Sequence, residues 1–266
     1  KLLPFLFVAF LIIELLEHKF HDKSVKVLNK AGRFGPVLGS ILGCFPQCGF
    51  SVLATNLYVT RIISLGTLVS IYLSTSDEML PILIARGSNF NEIIVLLGIK
   101  FVIGMVSGLI IDFVFRKSDS VRISDLCEEE HCHCEKGIVI SSLKHTFNTL
   151  LFIMGVSFIL NIVMEYGGEE VLCDWLGTNS FIAPFIASFI GLIPNCAASV
   201  VVTELYLSGV LSLSSVIAGL LTGSGVALLV LFKSNKNKKE NVRILLLVYF
   251  IGVISGLVLE LISFLF

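Results

Sequence analysis

Charged side chains are scarce in this sequence. Only 15% of the 266 residues are Asp, Glu, Lys or Arg, whereas soluble globular chains carry roughly 25%. The 19 basic and 20 acidic residues nearly cancel, so no basic surface is available for nucleic acid. Hydrophobic residues make up 55% of the chain. The composition therefore excludes a nucleic-acid-binding protein and a soluble enzyme, and it indicates an integral membrane protein.

Several sequence signatures are also missing. The alternating segments of about ten residues that build a membrane β-barrel are absent, and the apolar runs are instead about 20 residues long, which suits a membrane-spanning helix. There is no Walker motif for nucleotide binding, so we expect no ATP coupling within this chain. No His-rich or Ser/Lys constellation lies in the apolar segments, so we expect no enzyme. The seven cysteines are an odd number without a regular framework, which favours thiols over disulfides.

The first apolar run, residues 2–16, resembles a signal peptide in length but lacks a small-residue cleavage site. We therefore interpret it as a membrane helix. The sequence opens on Lys1 rather than Met, and we expect that the native start precedes it.

The two halves of the sequence repeat each other at an offset of 148 residues. Between positions 40–58 and 188–206, nine of nineteen residues are identical, where composition alone predicts about one in ten. The identical pairs include Pro46 with Pro194 and Cys48 with Cys196, and the same register returns at 103–112 and 251–260. The sequence thus predicts a duplicated fold.

The basic residues predict how the halves lie in the membrane. If residues 34–60 enter and leave on one side, 16 of the 19 basic residues fall on the inside, as the positive-inside rule demands. Each half then has three crossings and one hairpin, and this odd number inverts the second half. The predicted fold is an all-α polytopic membrane protein with two inverted-topology repeats, residues 1–115 with a re-entrant hairpin at 34–60 and residues 142–266 with a hairpin at 182–208. A cytosolic linker, 116–141, joins them. A duplicated membrane scaffold without transport is the alternative.

The hairpin tips carry the first candidate ligands. Each tip has a Pro-amide-Cys triplet followed by a serine one turn later, and proline breaks the helix at membrane depth. Amide, thiolate and hydroxyl groups from two tips could form one pocket, although small polar residues also serve helix packing. The candidate substrate or ion ligands are Gln47, Cys48, Ser51, Asn195, Cys196 and Ser199.

Two adjacent carboxylates, Asp77 and Glu78, interrupt the next apolar stretch. A charge at the centre of a membrane helix costs roughly 2.5 to 3.5 kcal/mol, so these side chains should face a cavity, bind a cation or exchange protons. The matching stretch 222–226 of the second half has no carboxylate, which makes the predicted site asymmetric. Lys100 is a candidate counter-ion within the bundle.

The linker between the halves is rich in metal ligands. Thiols, imidazoles and carboxylates crowd residues 125–136, without the spacing of a folded zinc finger. We expect a labile cytosolic metal site, and a plain charged linker is the alternative. The candidate ligands are Cys127, His131, Cys132, His133 and Cys134.

Taken together, the paired 45–49 and 193–197 motifs, the 74–81 motif and the His/Cys-rich linker resemble the family of ten-segment heavy-metal exporters, over nearly the whole chain. Members of that family are labelled arsenic efflux proteins or manganese transporters. Each predicted half has three crossing helices and two hairpin arms, so the two halves together have the ten segments of the family description. The resemblance implies heavy-metal efflux.

The expected function is a secondary transporter that exports a divalent transition metal, manganese- or zinc-like, or arsenite by alternating access. Carboxylates and amides suit manganese, and thiolates suit zinc, copper(I), cadmium or arsenite. A carrier for a small organic or sulfur-containing solute and a metal-sensing scaffold without transport remain open. We expect no permanently bound cofactor. The expected partners are membrane lipid and the transported ion or solute, a homodimer being allowed, in a prokaryotic inner membrane.

Overall fold

The structure, a computed structural model, describes residues 34–44, 48–76, 79–115, 181–194 and 196–265, together with positions 147, 151 and 158. Every regular element in these residues is an α-helix, which confirms the predicted all-helical class for this part of the chain. The helices, in chain order, are α1 (Gly35–Gly43), α2 (Cys48–Val59), α3 (Leu65–Ser74), α4 (Met79–Ala85), α5 (Phe90–Val114), α6 (Ala183–Gly191), α7 (Cys196–Leu207), α8 (Leu213–Thr222), α9 (Ala227–Ser234) and α10 (Lys238–Leu265).

Local sequence explains where the short helices begin. The Ser64 side chain caps α3 by accepting a backbone N–H three residues later at 3.1 Å, and Ser212 caps α8 in the same way at 3.3 Å. Serine is favoured at this position because its oxygen satisfies an unpaired amide of the first turn. Pro36 and Pro184 lie in the first turns of α1 and α6, where proline has no hydrogen bond to lose.

The helices follow the sequence repeat. Each of α6 to α10 begins 148 residues after the corresponding member of α1 to α5. The first break, between α1 and α2, has its counterpart between α6 and α7, and the second, between α3 and α4, has its counterpart between α8 and α9. Both breaks fall at the predicted positions, because proline and runs of polar residues interrupt the apolar segments there.

Two buried helices form the centre of the described structure. α3 is buried along its length after Leu65 and packs between α1 and α5. α8 packs between α6 and α10 in the same way. The halves meet where α3 contacts α8, where α2 contacts α9 and where α4 contacts α7.

Glycines allow α1 and α3 to approach closely. A Cβ on Gly39 would lie 2.5 Å from Ser70 Oγ, and a Cβ on Gly43 would lie 2.8 Å from the Ile71 carbonyl oxygen and collide with Ser74 Oγ. Gly35, at the other end of α1, faces Thr67 in the same manner. Successive glycines of α1 therefore contact successive residues of α3 in the same order, so the two helices are parallel.

The long helices α5 and α10 are buried on one face only. The buried face of α5 carries Lys100, Gly104 and Gly108, and that of α10 carries Val248, Gly252 and Gly256 at the matching positions. Large apolar side chains cover the opposite faces and are exposed, as lipid contact requires. Examples on both helices are Val102, Val106, Ile110, Phe113, Phe250, Ile254 and Val258.

Three segments of the described chain are long and apolar enough to cross a membrane: Phe90–Val114, Leu213–Ser234 and Lys238–Leu265. The second of these consists of α8 and α9 with their break. The predicted first helix of each half and the linker 116–141 lie outside the described residues, apart from three single positions.

Candidate functional site

Buried hydroxyl groups surround the helix breaks. Ser74, Thr75 and Ser76 at the end of α3 are fully buried or nearly so, as are Thr222 and Ser224 at the end of α8. The hydroxyls of Ser74 and Thr75 donate to the Ile71 carbonyl one turn back, at 3.3 and 2.6 Å. Buried polar groups are costly without such partners. The breaks thus form a polar centre within the apolar interior of the described helices.

Within each half, the first break lies beside the second. Gly43, the last residue of α1, contacts Ser74, the last residue of α3. Gly191 contacts Thr222 in the second half, and the Thr222 hydroxyl donates to the Ser188 carbonyl at 2.8 Å. Both repeats therefore bring their two interruptions together.

A lysine joins the breaks of the two halves. Lys100 of α5 is 1% exposed. Its ammonium donates to the carbonyl of Thr75, directly after α3, and to the carbonyl of Leu220 in the last turn of α8 at 2.9 Å. Such a cation is costly in an apolar interior unless carbonyls or counter-charges surround it.

A second group of polar contacts connects the two halves near the start of α9. The hydroxyls of Thr55 and Tyr72 are 2.6 Å apart. Each also lies 3.5 Å from the carbonyl oxygen of Ala227, the first residue of α9. These groups connect α2 and α3 of the first half to the second break of the second half.

At one end of the molecule, which we call the basic end, α2 meets the beginning of α10. Arg61 forms a bidentate ion pair with Glu240, with N···O distances of 2.7 and 2.9 Å, and the Tyr58 hydroxyl donates to the same carboxylate. The hydrogen bond with Glu240 raises the pKa of the Arg61 guanidinium. Arg243 stacks over Phe115 at 4.3 Å from the ring centroid, so the end of α5 lies here as well.

The opposite end, which we call the acidic end, has the repeat-related contact. The Tyr206 hydroxyl donates to Glu92 at 2.6 Å, and these residues are the counterparts of Tyr58 and Glu240 at the offset of 148. Arg86 pairs with Glu204 at 2.8 Å, with both side chains exposed. Each end thus contains a tyrosine–glutamate contact between the halves, related by exchange of the two repeats.

The predicted ligands are only partly described. Ser51 is completely buried in α2, and Ser199 is half-buried in α7. Cys48 and Cys196 are the first residues of α2 and α7, directly after the breaks. Gln47, Asp77, Glu78, Asn195 and the linker ligands Cys127, His131, Cys132, His133 and Cys134 lie outside the described residues.

Within the described residues, no three His, Cys, Asp or Glu side chains come close enough to hold a metal ion. The contacts at the two ends were not predicted from the sequence. Their signal was available, because Glu92 and Glu240 are identical at the offset of 148, as are Tyr58 and Tyr206.

An apolar helical protein with membrane-length helices, a polar centre and interrupted helices belongs to the class of polytopic integral membrane proteins. Within that class, the family described as "Putative, 10TM heavy-metal exporter" matches residues 3–167 and 134–264. The chain therefore belongs to this family, as its motifs indicated. Comparisons with curated proteins and with solved structures gave no match.

Proposed function

We propose that this protein is a secondary transporter that exports a divalent transition metal or arsenite by alternating access of two inverted halves. The observation that carries the proposal is a pair of equivalent contacts between the halves. Tyr58 of the first half bonds to Glu240 of the second, and Tyr206 of the second half bonds to Glu92 of the first. Such exchange relates two halves by a pseudo-twofold axis, the symmetry of inverted-repeat transporters. Membership of an exporter family supports the direction of transport.

The contacts of the long helices support the inversion. Arg243 near the start of α10 stacks on Phe115 directly after α5. At the other end, Glu92 at the start of α5 contacts Tyr206, while Glu260 near the end of α10 accepts a hydrogen bond from Ser212 at 3.3 Å. The beginning of each long helix thus lies near the end of the other. Two copies of one helix that run in opposite directions are what an inverted repeat requires.

Contacts around α3 support a re-entrant hairpin at 34–60. Gly35 at the start of α1 faces Thr67, whose side chain lies 2.8 Å from Ser64. The segment leaves through Arg61, three residues before Ser64. Both ends of the hairpin are therefore near the same end of α3. The arms, α1 and α2, are roughly 14 and 18 Å long at 1.5 Å per residue, too short to cross a bilayer core of roughly 30 Å separately.

The charge distribution supports the orientation. At the basic end, Arg61, Arg243 and the basic run 233–239 outnumber Glu240 and Asp112. At the acidic end, Glu92, Glu204 and Glu260 outnumber Arg86. By the positive-inside rule, the basic end faces the cytosol. The linker 116–141 leaves α5 at that end, so its cysteines and histidines would capture metal at the cytosolic mouth.

We propose the substrate site at the polar centre, between the hairpin tips and the breaks after α3 and α8. Gly43 contacts Ser74, which brings the described edge of the first tip to the edge of the break that contains Asp77 and Glu78. The proposed ligands are Asp77 and Glu78 for charge, with Gln47, Cys48, Ser51, Asn195, Cys196 and Ser199 for coordination.

The buried ammonium of Lys100 favours a second candidate. Its positive charge offsets part of the negative charge of Asp77 and Glu78 beside the breaks and could pair with an anionic group of a solute. A small organic or sulfur-containing solute is therefore the alternative substrate class.

A flux assay tests both candidates. The purified protein is reconstituted in liposomes, and flux of Mn²⁺, Zn²⁺, Cd²⁺, arsenite and thiol-containing anions is measured with a pH gradient and a sodium gradient imposed separately. Asp77→Asn should reduce metal flux at least about tenfold, because a loss of about 1.4 kcal/mol in the binding free energy of the ion weakens its affinity tenfold. Gly98→Ala is the control, since nothing lies within 4 Å of the added methyl group.

Other outcomes have clear meanings. Flux of an anion but not of metals would favour the solute carrier, and no flux of any compound would support a scaffold. Deletion of residues 127–134 should weaken apparent affinity for a thiophilic metal while maximal flux stays near the wild-type value. Loss of flux for every substrate on this deletion would show that the linker belongs to the gate or the fold.

A further inference from the structure

The polar centre contains a lysine side chain, Lys100, whose counterpart in the second repeat is not basic. Lys100 and Val248 occupy the same position in the two repeats, and both are buried, at 1% and 0% exposure. The surrounding helices repeat, but the ammonium does not. This departure from the repeat calls for a role other than helix packing, which valine fulfils in the second half.

Two acceptors of the Lys100 ammonium are carbonyls at helix ends. Thr75 directly follows α3. Leu220 lies in the last turn of α8, where the last four carbonyls of a helix have no partner within it. The Ser224 amide, which would bind the Leu220 carbonyl if α8 continued, donates to Thr222 at 2.8 Å instead.

The two helix ends also create a favourable field for a cation. The C-terminus of a helix carries about half a negative charge. The C-termini of α3 and α8 come from opposite halves and converge on the same ammonium through Thr75 and Leu220. Carbonyls freed by interrupted helices, together with helix C-termini, are the oxygen ligands that membrane transporters offer to monovalent cations.

We infer that these carbonyls form a monovalent cation site between the halves, which Lys100 fills as a tethered cation. When the ammonium is removed and space is left, a free alkali cation, sodium or potassium, binds there. The proposal concerns the carbonyl site and does not rest on transport.

A purely structural role of Lys100 would give a different result. If Lys100 only fills space and joins helices, its removal destabilises the protein equally in every salt. A cation site predicts stabilisation that depends on the identity and concentration of the cation, because a ligand that binds only the folded state raises its stability by mass action.

The test is thermal melting of the purified full-length chain in detergent, titrated with NaCl or KCl against choline chloride at constant ionic strength. The wild-type protein should show the same Tm in all three salts. Lys100→Ala should melt lower in choline, and saturating Na⁺ or K⁺ should raise its Tm by about 5 °C. Val248→Ala is the matched control, since it also opens a buried cavity but should respond equally to every salt.

Direct binding of radioactive sodium to the same samples provides a second readout. Lys100→Ala should bind about one more sodium ion per chain than the wild-type protein and Val248→Ala. If the alanine variant does not fold, Lys100→Ser is measured in the same way, because its hydroxyl adds an oxygen ligand while space remains. Sodium binding by Lys100→Ala that does not exceed that of the wild-type protein, or the absence of cation-specific stabilisation in both Lys100 variants, would overturn the proposal.

Discussion

Arg61 adopts a backbone conformation that favours glycine. Its φ is +60°, and its counterpart in the second repeat, Gly209, has φ +78°. Both residues follow a helix and make the same turn, with the Arg61 amide bonded to Tyr58 at 2.8 Å and the Gly209 amide bonded to Tyr206 at 2.9 Å. A left-handed conformation costs a side-chain-bearing residue roughly 1 to 2 kcal/mol. The ion pair with Glu240 offsets this cost at position 61.

Substitutions at this turn should separate strain from the ion pair. Arg61→Ala loses the ion pair and keeps the strain, whereas Arg61→Gly loses the ion pair and relieves the strain. We expect Arg61→Gly to be more stable than Arg61→Ala by about 1 kcal/mol, measured by thermal melting in detergent. Gly209→Ala should be destabilised by a similar amount. Equal stability of the alanine and glycine variants at position 61 would contradict the strain argument.

At the scale of elements, rows of glycines at the contacts between helices determine how closely the helices pack. We call such a row a seam. Gly108 on α5 lies against α1 and α3: a Cβ there would be 2.6 Å from the Gly66 carbonyl oxygen and 2.9 Å from the Pro36 Cβ. Gly256 on α10 has the equivalent neighbours in the second half. Small residues at such contacts provide the van der Waals packing on which helix association in membranes depends.

Two glycines of α5 provide a matched pair. Gly108→Ala should lower the stability by roughly 1 to 3 kcal/mol, because the backbone and Pro36 must move to admit the methyl group. Gly98→Ala, with nothing within 4 Å, should be neutral or stabilising by up to about 1 kcal/mol, since alanine favours a helix. Melting temperatures of the two variants give the comparison. A larger loss for Gly98→Ala would show that the seam does not run along this face.

At the scale of the whole molecule, the two ends are closed by related but unequal contacts. The basic end has a tyrosine, a bidentate arginine and a shared carboxylate, Glu240. The acidic end has the Tyr206–Glu92 hydrogen bond and an exposed ion pair, and exposed ion pairs contribute little. Under alternating access, these contacts would open in turn, and the more heavily bonded basic end would open less readily.

Hydrogen exchange can test whether the ends open separately. Glu240→Ala should increase amide exchange at residues 60–66 and leave 208–214 unchanged. Its repeat-related partner Glu92→Ala should do the reverse, because each variant removes the contact at one end only. Mass spectrometry of peptides from the full-length protein, labelled in detergent before digestion, gives both readouts. An equal increase at both ends in either variant would contradict independent gates.

Much of the architecture follows from local sequence. The repeat offset, the positions of both breaks and the helical class depend on apolar periodicity, proline and capping serines, which act within a few residues. Identical residues at the offset of 148 also align Pro46 with Pro194 and Cys48 with Cys196 in the sequence. The family motifs are likewise continuous stretches of sequence, and the matching family model confirmed the family that they indicated.

Only the tertiary structure decided which residues from the two halves meet. Sequence assigned Lys100 to the membrane interior, but its acceptors, Thr75 and Leu220, lie 25 and 120 residues away. Likewise, Arg61 and Glu240 are 179 residues apart. Such contacts arise from the packing of whole helices against one another, and no local pattern records the rotation and depth at which two helices pack. Sequence therefore determined the elements and their repeat, and packing determined the polar contacts between the halves.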